Sequence, residues 1–261
     1  MPRKAVVALL IVLAATFPFE GVAQLDREKL LKDSGVYGTF AVFKVTEHWW
    51  QIDAEGRKTA VREVKSLFQS YEKNLSIDVY LLRGLSETGD LLVRIHSREM
   101  ALTQNFLVDF MGTVFGHALK HTHTFNGMTK ALNYAPSFPD DIKAELKTPA
   151  PEGSPYAVVV PIRKDAAWWS LPQETRTAML KEHTAATVPY LKTVKRKLYH
   201  SSGLDDLDFI TYFETAKLED FNNLVIALLK VKENHHNRQF GDPLLLGTVQ
   251  PLDRILDIFA R

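Results

Sequence analysis

The chain has 261 residues, of which 46% are apolar and 24% charged, which suits one large globular domain or two modest ones. Lysines and arginines (32) nearly balance aspartates and glutamates (31), and the one short basic run, in VKRK at 194–197, is broken off by Val194 and Leu198 on either side, so nothing reads as a nucleic-acid surface. Cysteine is absent, which excludes disulfides, cysteine-ligated zinc, iron–sulfur clusters and covalent attachment of a c-type haem.

Residues 1–23 read as a secretory signal peptide. MPRK is a basic start, AVVALLIVLAATF an apolar stretch too short to span a bilayer with ease, and FEGVA ends in small residues with cleavage expected after Ala23. The expectation is export to a periplasm and no membrane contact once the signal is removed.

From residue 24 onward the chain is an internal repeat. Trp49-Trp50 recurs 119 residues later as Trp168-Trp169, and Gly84-Leu85 recurs at the same offset as Gly203-Leu204. Between these anchors Glu55, Arg57, Glu63, Tyr71, Lys73 and Tyr80 match Glu174, Arg176, Glu182, Tyr190, Lys192 and Tyr199 without a gap. In the first half VYGTFAVFKV is β-branched and aromatic and predicts a strand. Val61, Val64, Leu67, Phe68 and Tyr71 recur at helical spacing. SIDVYLLR and DLLVRIHS are strands flanking the turn at Gly84–Gly89, and ALTQNFLVDFMGTVF is a helix. Residues 136–155, rich in proline and charge, read as a linker.

The second half follows the same plan. YAVVVPI is a strand, and a helix starting near Pro172, with Ser170 and Gln173 as a capping box, runs to about Thr187. KTVKRKLYH and DFITYFE are strands, LEDFNNLVIALLKVKE is a helix carrying Glu233 near its end, and LLLGTV is a last short strand. Each half is thus β-α-β-β-α-β, the ferredoxin-like order. The predicted architecture is α+β, with two such domains (24–135 and 156–261) closing into a dimeric α+β barrel within one chain.

Where the halves differ, chemistry is expected. His183 aligns with Val64, and Arg196 with Ile77. Strand alternation puts Val194, Arg196, Leu198 and His200 on one face, with Phe209, Thr211 and Phe213 sharing a face on the next strand. An arginine on an apolar face is either paired with a carboxylate such as Glu214 or Asp208, or aimed into a pocket to hold an anion. A histidine at position 183 is either a satisfied core residue or a metal ligand; Glu233 favours the ligand, because ligating histidines commonly donate their other N–H to a carboxylate. His117, His121 and His123 offer a weaker metal pattern. No HExxH, GxGxxG, P-loop or GxSxG motif is present.

KEHTAATVPYLKTVKRKLYHSSGLDDLDFITYFET resembles the chlorite dismutase family, in its long-chain lineage, and the likeness extends through the first half from DREKLLKDSGVYGTF. The resemblance implies one non-covalent haem b per chain in the second half. By position it assigns His183 as the proximal axial ligand, Glu233 as its carboxylate partner and Arg196 as the distal arginine. Lys164, Asn133 and Tyr134 match groups that contact the haem propionates. Trp168 matches the tryptophan packed by the haem, and Trp169 one nearer the subunit contacts. Leu198, Thr211 and Phe213 match the distal lining. It further implies chlorite as substrate, converted to chloride and dioxygen, and assembly as a homopentamer. Two other readings share the fold: a coproheme decarboxylase, which lacks this arginine, and a non-catalytic haem-binding protein.

Overall fold

A computed structural model describes residues 25–131, 140, 144 and 154–261. Asn133, Tyr134 and most of the expected linker lie outside the described residues, as does the expected signal peptide.

The first half contributes β1 (Tyr37–Val45), β2 (Ser76–Leu81), β3 (Leu91–Ser97) and β4 (Leu119–Met128); the second contributes β5 (Tyr156–Lys164), β6 (Val194–His200), β7 (Phe209–Thr215), β8 (Asn237–Phe240) and β9 (Leu245–Val249). All neighbours pair antiparallel, in the order β7-β6-β4-β1-β3-β2-β9-β5-β8, and β7 also pairs with β5. The sheet therefore closes on itself, as the expected barrel requires. The two seams between halves are short: Tyr80↔Val249 and Leu81↔Thr248 at one, Met128↔His200 at the other. Each half has its own β2–β3 or β6–β7 hairpin turn. Gly84 (φ 86°) and Gly203 (φ 81°) take the left-handed backbone there that a β-carbon disfavours.

Alternation along the strands splits the core into three. One side of every barrel strand points inward, where Phe40, Val42, Tyr80, Leu82, Leu92, Phe125, Ala157, Val159, Tyr199, Ile210, Tyr212 and Leu245 pack together. Tyr199 packs so closely on Gly38 that any β-carbon there would collide with its ring. The other side of each half is covered by helices. In the first half these are α2 (Glu47–Gln51), α3 (Ala54–Tyr71), α4 (Met100–Gly112) and α5 (Val114–His117), while α1 (Arg27–Lys32) instead contacts Ser76, Asp78 and Lys197 on the inward side; in the second, α6 (Ala166–Ser170), α7 (Gln173–Thr187) and α8 (Leu218–Leu228).

Four features depart from the sequence expectation. The helix containing LEDFNNLVIAL stops at Leu228, and Glu233 sits on a separate 3-10 turn, Lys232–His236. The expected capping box is not formed: Pro172 is the N-cap of α7 and no side chain caps it. Lys195, Lys197 and Tyr199 point into the barrel, so both faces of β6 are enclosed rather than one. Finally, a helix α9 (Leu252–Ala260) follows β9 and packs against α3. Leu252, Ile255, Leu256 and Phe259 recur at helical spacing and join the first half's core beside Trp49 and Phe115.

Candidate functional site

β5 ends at Lys164, where the pairing with β8 shifts register and brings Lys164 opposite Asn237. The next residue, Asp165, caps α6 by accepting from the Trp168 backbone N–H at 2.7 Å, and α6 seats Trp168 at 4% exposure. Trp168 then faces the Lys164 ammonium at 4.7 Å and the His236 ring at 5.7 Å. Its indole N–H has no hydrogen-bond partner among the described residues.

His183 projects from α7 toward the 3-10 turn. Its Nδ1 and Glu233 Oε2 are 2.8 Å apart, with Glu233 at 6% exposure. The other Glu233 oxygen, Oε1, takes a hydrogen bond from Lys164 Nζ. Lys164 also donates to the Glu233 carbonyl at 3.2 Å and to Asn237 Oδ1 at 2.6 Å, which uses all three ammonium protons. Burial pushes the Glu233 carboxyl up, but the hydrogen bond and charge of His183, and then of Lys164, outweigh it and hold the group below its usual range. Burial pulls the Lys164 ammonium down, and Glu233 opposes that only in part. A carboxylate so placed accepts a hydrogen bond from the His183 Nδ1–H, which turns the opposite ring nitrogen, Nε2, away from it; Nε2 has no partner among the described residues.

On the sheet, Arg196 pairs with Phe213 and Leu198 with Thr211; Phe213 and Thr211 pair in turn with Val158 and Val160 of β5. All six side chains lie on the face turned to the helices. There Val158, Val160, Val194 and Phe213 form an apolar layer with Phe221, Leu224 and Leu228 of α8. The Phe213 and Phe221 rings meet edge to face at 5.2 Å. Thr211 spends its hydroxyl on the Val160 carbonyl at 3.2 Å, so it presents its methyl. Ala186 of α7 packs on this layer, one turn along the helix from His183. The imidazole and the guanidinium thus belong to a helix and a sheet face that bound the same apolar layer.

The sequence expectation of a haem pocket can be tested on this donor set. It holds two imidazoles with a carboxylate on Nδ1, His183 with Glu233 and His236 with Asp165, of which His183 stands beside the apolar layer; a tryptophan N–H without an acceptor among the described residues, apolar walls and Arg196 complete it. That is the chemistry a five-coordinate haem iron and its macrocycle require. Lys164 is among the expected residues, but its donors are committed to Glu233 and Asn237, which places it in the imidazole's support rather than at an open edge. Asp165, His236 and Asn237 are not legible in the sequence as site residues; only the β5–β8 register reveals them. His121 and His123 lie on β4, where His121 stacks on Phe43 at 4.8 Å, and no metal-binding cluster of His, Asp or Glu occurs among the described residues. A cleft of about 450 Å³ at the β2–β9 seam, bordered by Arg27, Asp78, Arg94 and Glu214, shares none of these residues.

A sequence profile of the chlorite dismutase family matches residues 57–250. A chlorite dismutase of Ideonella dechloratans is 40% identical over 235 residues, covering 89% of this chain and 82% of the relative. A coproheme decarboxylase of Mycolicibacterium smegmatis is 27% identical over 221 residues, 84% of this chain and 91% of its own. The structure of chlorite dismutase from Candidatus Nitrospira defluvii in complex with imidazole superposes with a TM-score of 0.87 at 54% identity, covering 91% of this chain and all (100%) of that one. A heme-binding protein from Thermus thermophilus shares the fold, with a TM-score of 0.74 at 18% identity over 88% of this chain and 96% of its own.

Proposed function

The chain belongs to the chlorite dismutase family, and from that premise we propose that it converts chlorite to chloride and dioxygen at a haem b held by His183, with Arg196 across the pocket. The observation that carries the assignment is the His183–Glu233 pair at 2.8 Å beneath an apolar layer bearing one arginine.

Bound haem b supplies the redox-active iron at which a Cl–O bond is broken and an O–O bond made. The protein's part follows from the reaction's balance. ClO₂⁻ gives Cl⁻ and O₂ with no proton, electron or co-reactant consumed, so the pocket needs no general acid or base. Leu198, Thr211 and Phe213 meet that need by presenting hydrocarbon, which also excludes water. Arg196 is a cation at every working pH. Its planar fork orients the incoming anion and keeps the departing chlorine fragment within reach for recombination. Glu233 fixes the His183 tautomer and increases the donor strength of Nε2. The Trp168 indole N–H has no acceptor among the described residues, which supports its donating to an acidic group of a bound macrocycle.

The same reading extends to export and assembly. The basic and apolar segments within residues 1–23 support delivery to a periplasm. Trp169, 46% exposed and stacked against Phe209 at 6.2 Å, supports burial of this surface in a homopentamer.

An oxygen electrode tests the activity. Chlorite added to haem-loaded protein releases dioxygen and chloride in equal amounts. Absence of oxygen, with conversion of coproporphyrin-bound iron by peroxide instead, would overturn the assignment in favour of decarboxylation. Sequencing the mature N-terminus and light scattering check the cleavage after Ala23 and the fivefold mass.

A further inference from the structure

The hydrogen bonds that support His183 do not end at Lys164. Asn237 accepts from the Lys164 ammonium through Oδ1 at 2.6 Å and donates through Nδ2 to Asn234 Oδ1 at 3.1 Å. Asn234 in turn donates to the Leu228 carbonyl, at the end of α8, at 2.7 Å. Its backbone N–H is tied to the Val231 carbonyl at 3.1 Å. Each amide therefore has one orientation that satisfies both its ends, and a flip at Asn237 would set its NH₂ against the ammonium. The chain of contacts runs from α8 through the 3-10 turn and β8 to β5, then through Glu233 to α7.

The repeat shows that this arrangement is particular to the site. In the first half the strand pair equivalent to Lys164↔Asn237 is Val45↔Leu119, apolar on both strands. Nothing in the ferredoxin-like packing asks for an amide at 237.

We propose that Asn237 is a positioning residue for the reaction: it sets how the Lys164 charge is shared, and through Glu233 how strongly the carboxylate draws on His183. The coupling is electrostatic. Glu233 divides its two oxygens between a cation and an imidazole N–H. Charge withdrawn at Oε1 by Lys164 weakens the pull of Oε2 on the His183 proton. Asn237 takes part of the ammonium's hydrogen-bonding capacity away from Glu233, in a pocket where Lys164 is 5% exposed and water does not screen the exchange. The neutral amide holds that division at an intermediate value.

The inference rests on His183 being the iron ligand, and two substitutions of opposite character test it. Asn237→Asp offers Lys164 a competing anion, frees Glu233 to pull harder on His183 and stabilises ferric over ferrous haem. Asn237→Leu removes the acceptor, concentrates the ammonium on Glu233 and shifts the equilibrium the other way. In the haem-loaded full-length protein, each variant is expected to move the ferric/ferrous equilibrium by about tenfold, ~59 mV for a one-electron couple. The iron–histidine stretching frequency moves with it, up for Asp and down for Leu. A merely structural asparagine predicts lower melting temperatures with the potential unmoved, or both variants shifted the same way; either result overturns the proposal. The His183 Nδ1 proton resonance in haem-free protein supplies a readout that does not need the cofactor, downfield for Asp and upfield for Leu. Opposite movements there without a haem signal would sink His183 as the ligand while leaving the Asn237 linkage intact; no movement sinks the linkage.

Discussion

The two halves share a fold and differ in what fills the space between sheet and helices. In the first half it is closed. Val64, Ile77, Val79, Val93 and Ile95 occupy the positions of His183, Arg196, Leu198, Thr211 and Phe213, and all pack in one apolar cluster. Val45 stands where the second half has Lys164, and Phe115 stands at the place of Glu233. The tryptophans differ in the same sense. Trp49 donates its indole N–H to the Phe259 carbonyl at 2.8 Å, whereas its repeat mate Trp168 has no acceptor among the described residues. That carbonyl comes from α9, a helix that the second half lends to the first. In the first half, apolar side chains and one extra helix thus fill the space between sheet and helices. The repeat sets apolar side chains in the first half against an imidazole, a guanidinium and a buried carboxylate in the second.

His183→Ala should separate the halves most sharply. It is expected to abolish haem binding, seen as loss of the Soret band on titration, with the fold retained; Val64→Ala should leave haem binding intact and lower stability by about 2 kcal/mol. Haem loss in both variants, or in neither, would break the contrast between a ligand half and a scaffold half. Next in size, Phe259→Ala removes a fully buried ring from the first half's core and should cost about 3–5 kcal/mol in denaturant unfolding, with little change in the haem spectrum of the folded protein. Arg196→Ala should raise the barrier to chlorite turnover by ~1–3 kcal/mol, roughly a fivefold to 150-fold loss, and shorten the lifetime of the haem under turnover. Ile77→Ala, its repeat mate, should leave the rate per folded haem unchanged.

The smallest effect concerns the barrel interior. Lys197 points inward, its ammonium bonded to the Leu31 carbonyl, and burial followed by the charge of Arg94 pulls it down to about 8. The folded protein releases this proton while the unfolded chain still holds it, so between pH 8 and the ordinary lysine value of 10.5 stability from this group rises with pH. Thermal midpoints of Lys197→Met should lack that rise. Its repeat mate is Asp78, which is ion-paired with Arg27 at 2.6 Å, so the two halves contribute opposite charges at one level of the barrel.

Much of this is legible in the sequence because the repeat carries its own control. Strand alternation groups Arg196 with Leu198, and Phe213 with Thr211, on the sides the structure gives them. It leaves open which side of β6 faces the barrel, since Lys195 and Lys197 look like solvent residues until the sheet closes over them. Glu233 is legible as the histidine's partner, but its backbone is not, because apolar spacing carries through Leu228–Leu229 past the point where the helix stops. α9 escapes the sequence reading although Leu252, Ile255, Leu256 and Phe259 mark a helical face; a β-α-β-β-α-β plan has no place for a further helix. Asn237 carries no local signal at all. Its role exists only across the β5–β8 pairing, a contact between residues far apart in the chain.

The loan of α9 also sets an order of events during synthesis. The first half leaves the ribosome first, yet Trp49 and Phe115 remain without Phe259 until residues 252–260 have been made. A nascent chain paused anywhere before residue 252 holds that aromatic surface open and exposed to whatever binds unfinished proteins. The first half therefore completes its core only once the second half's final described helix is present.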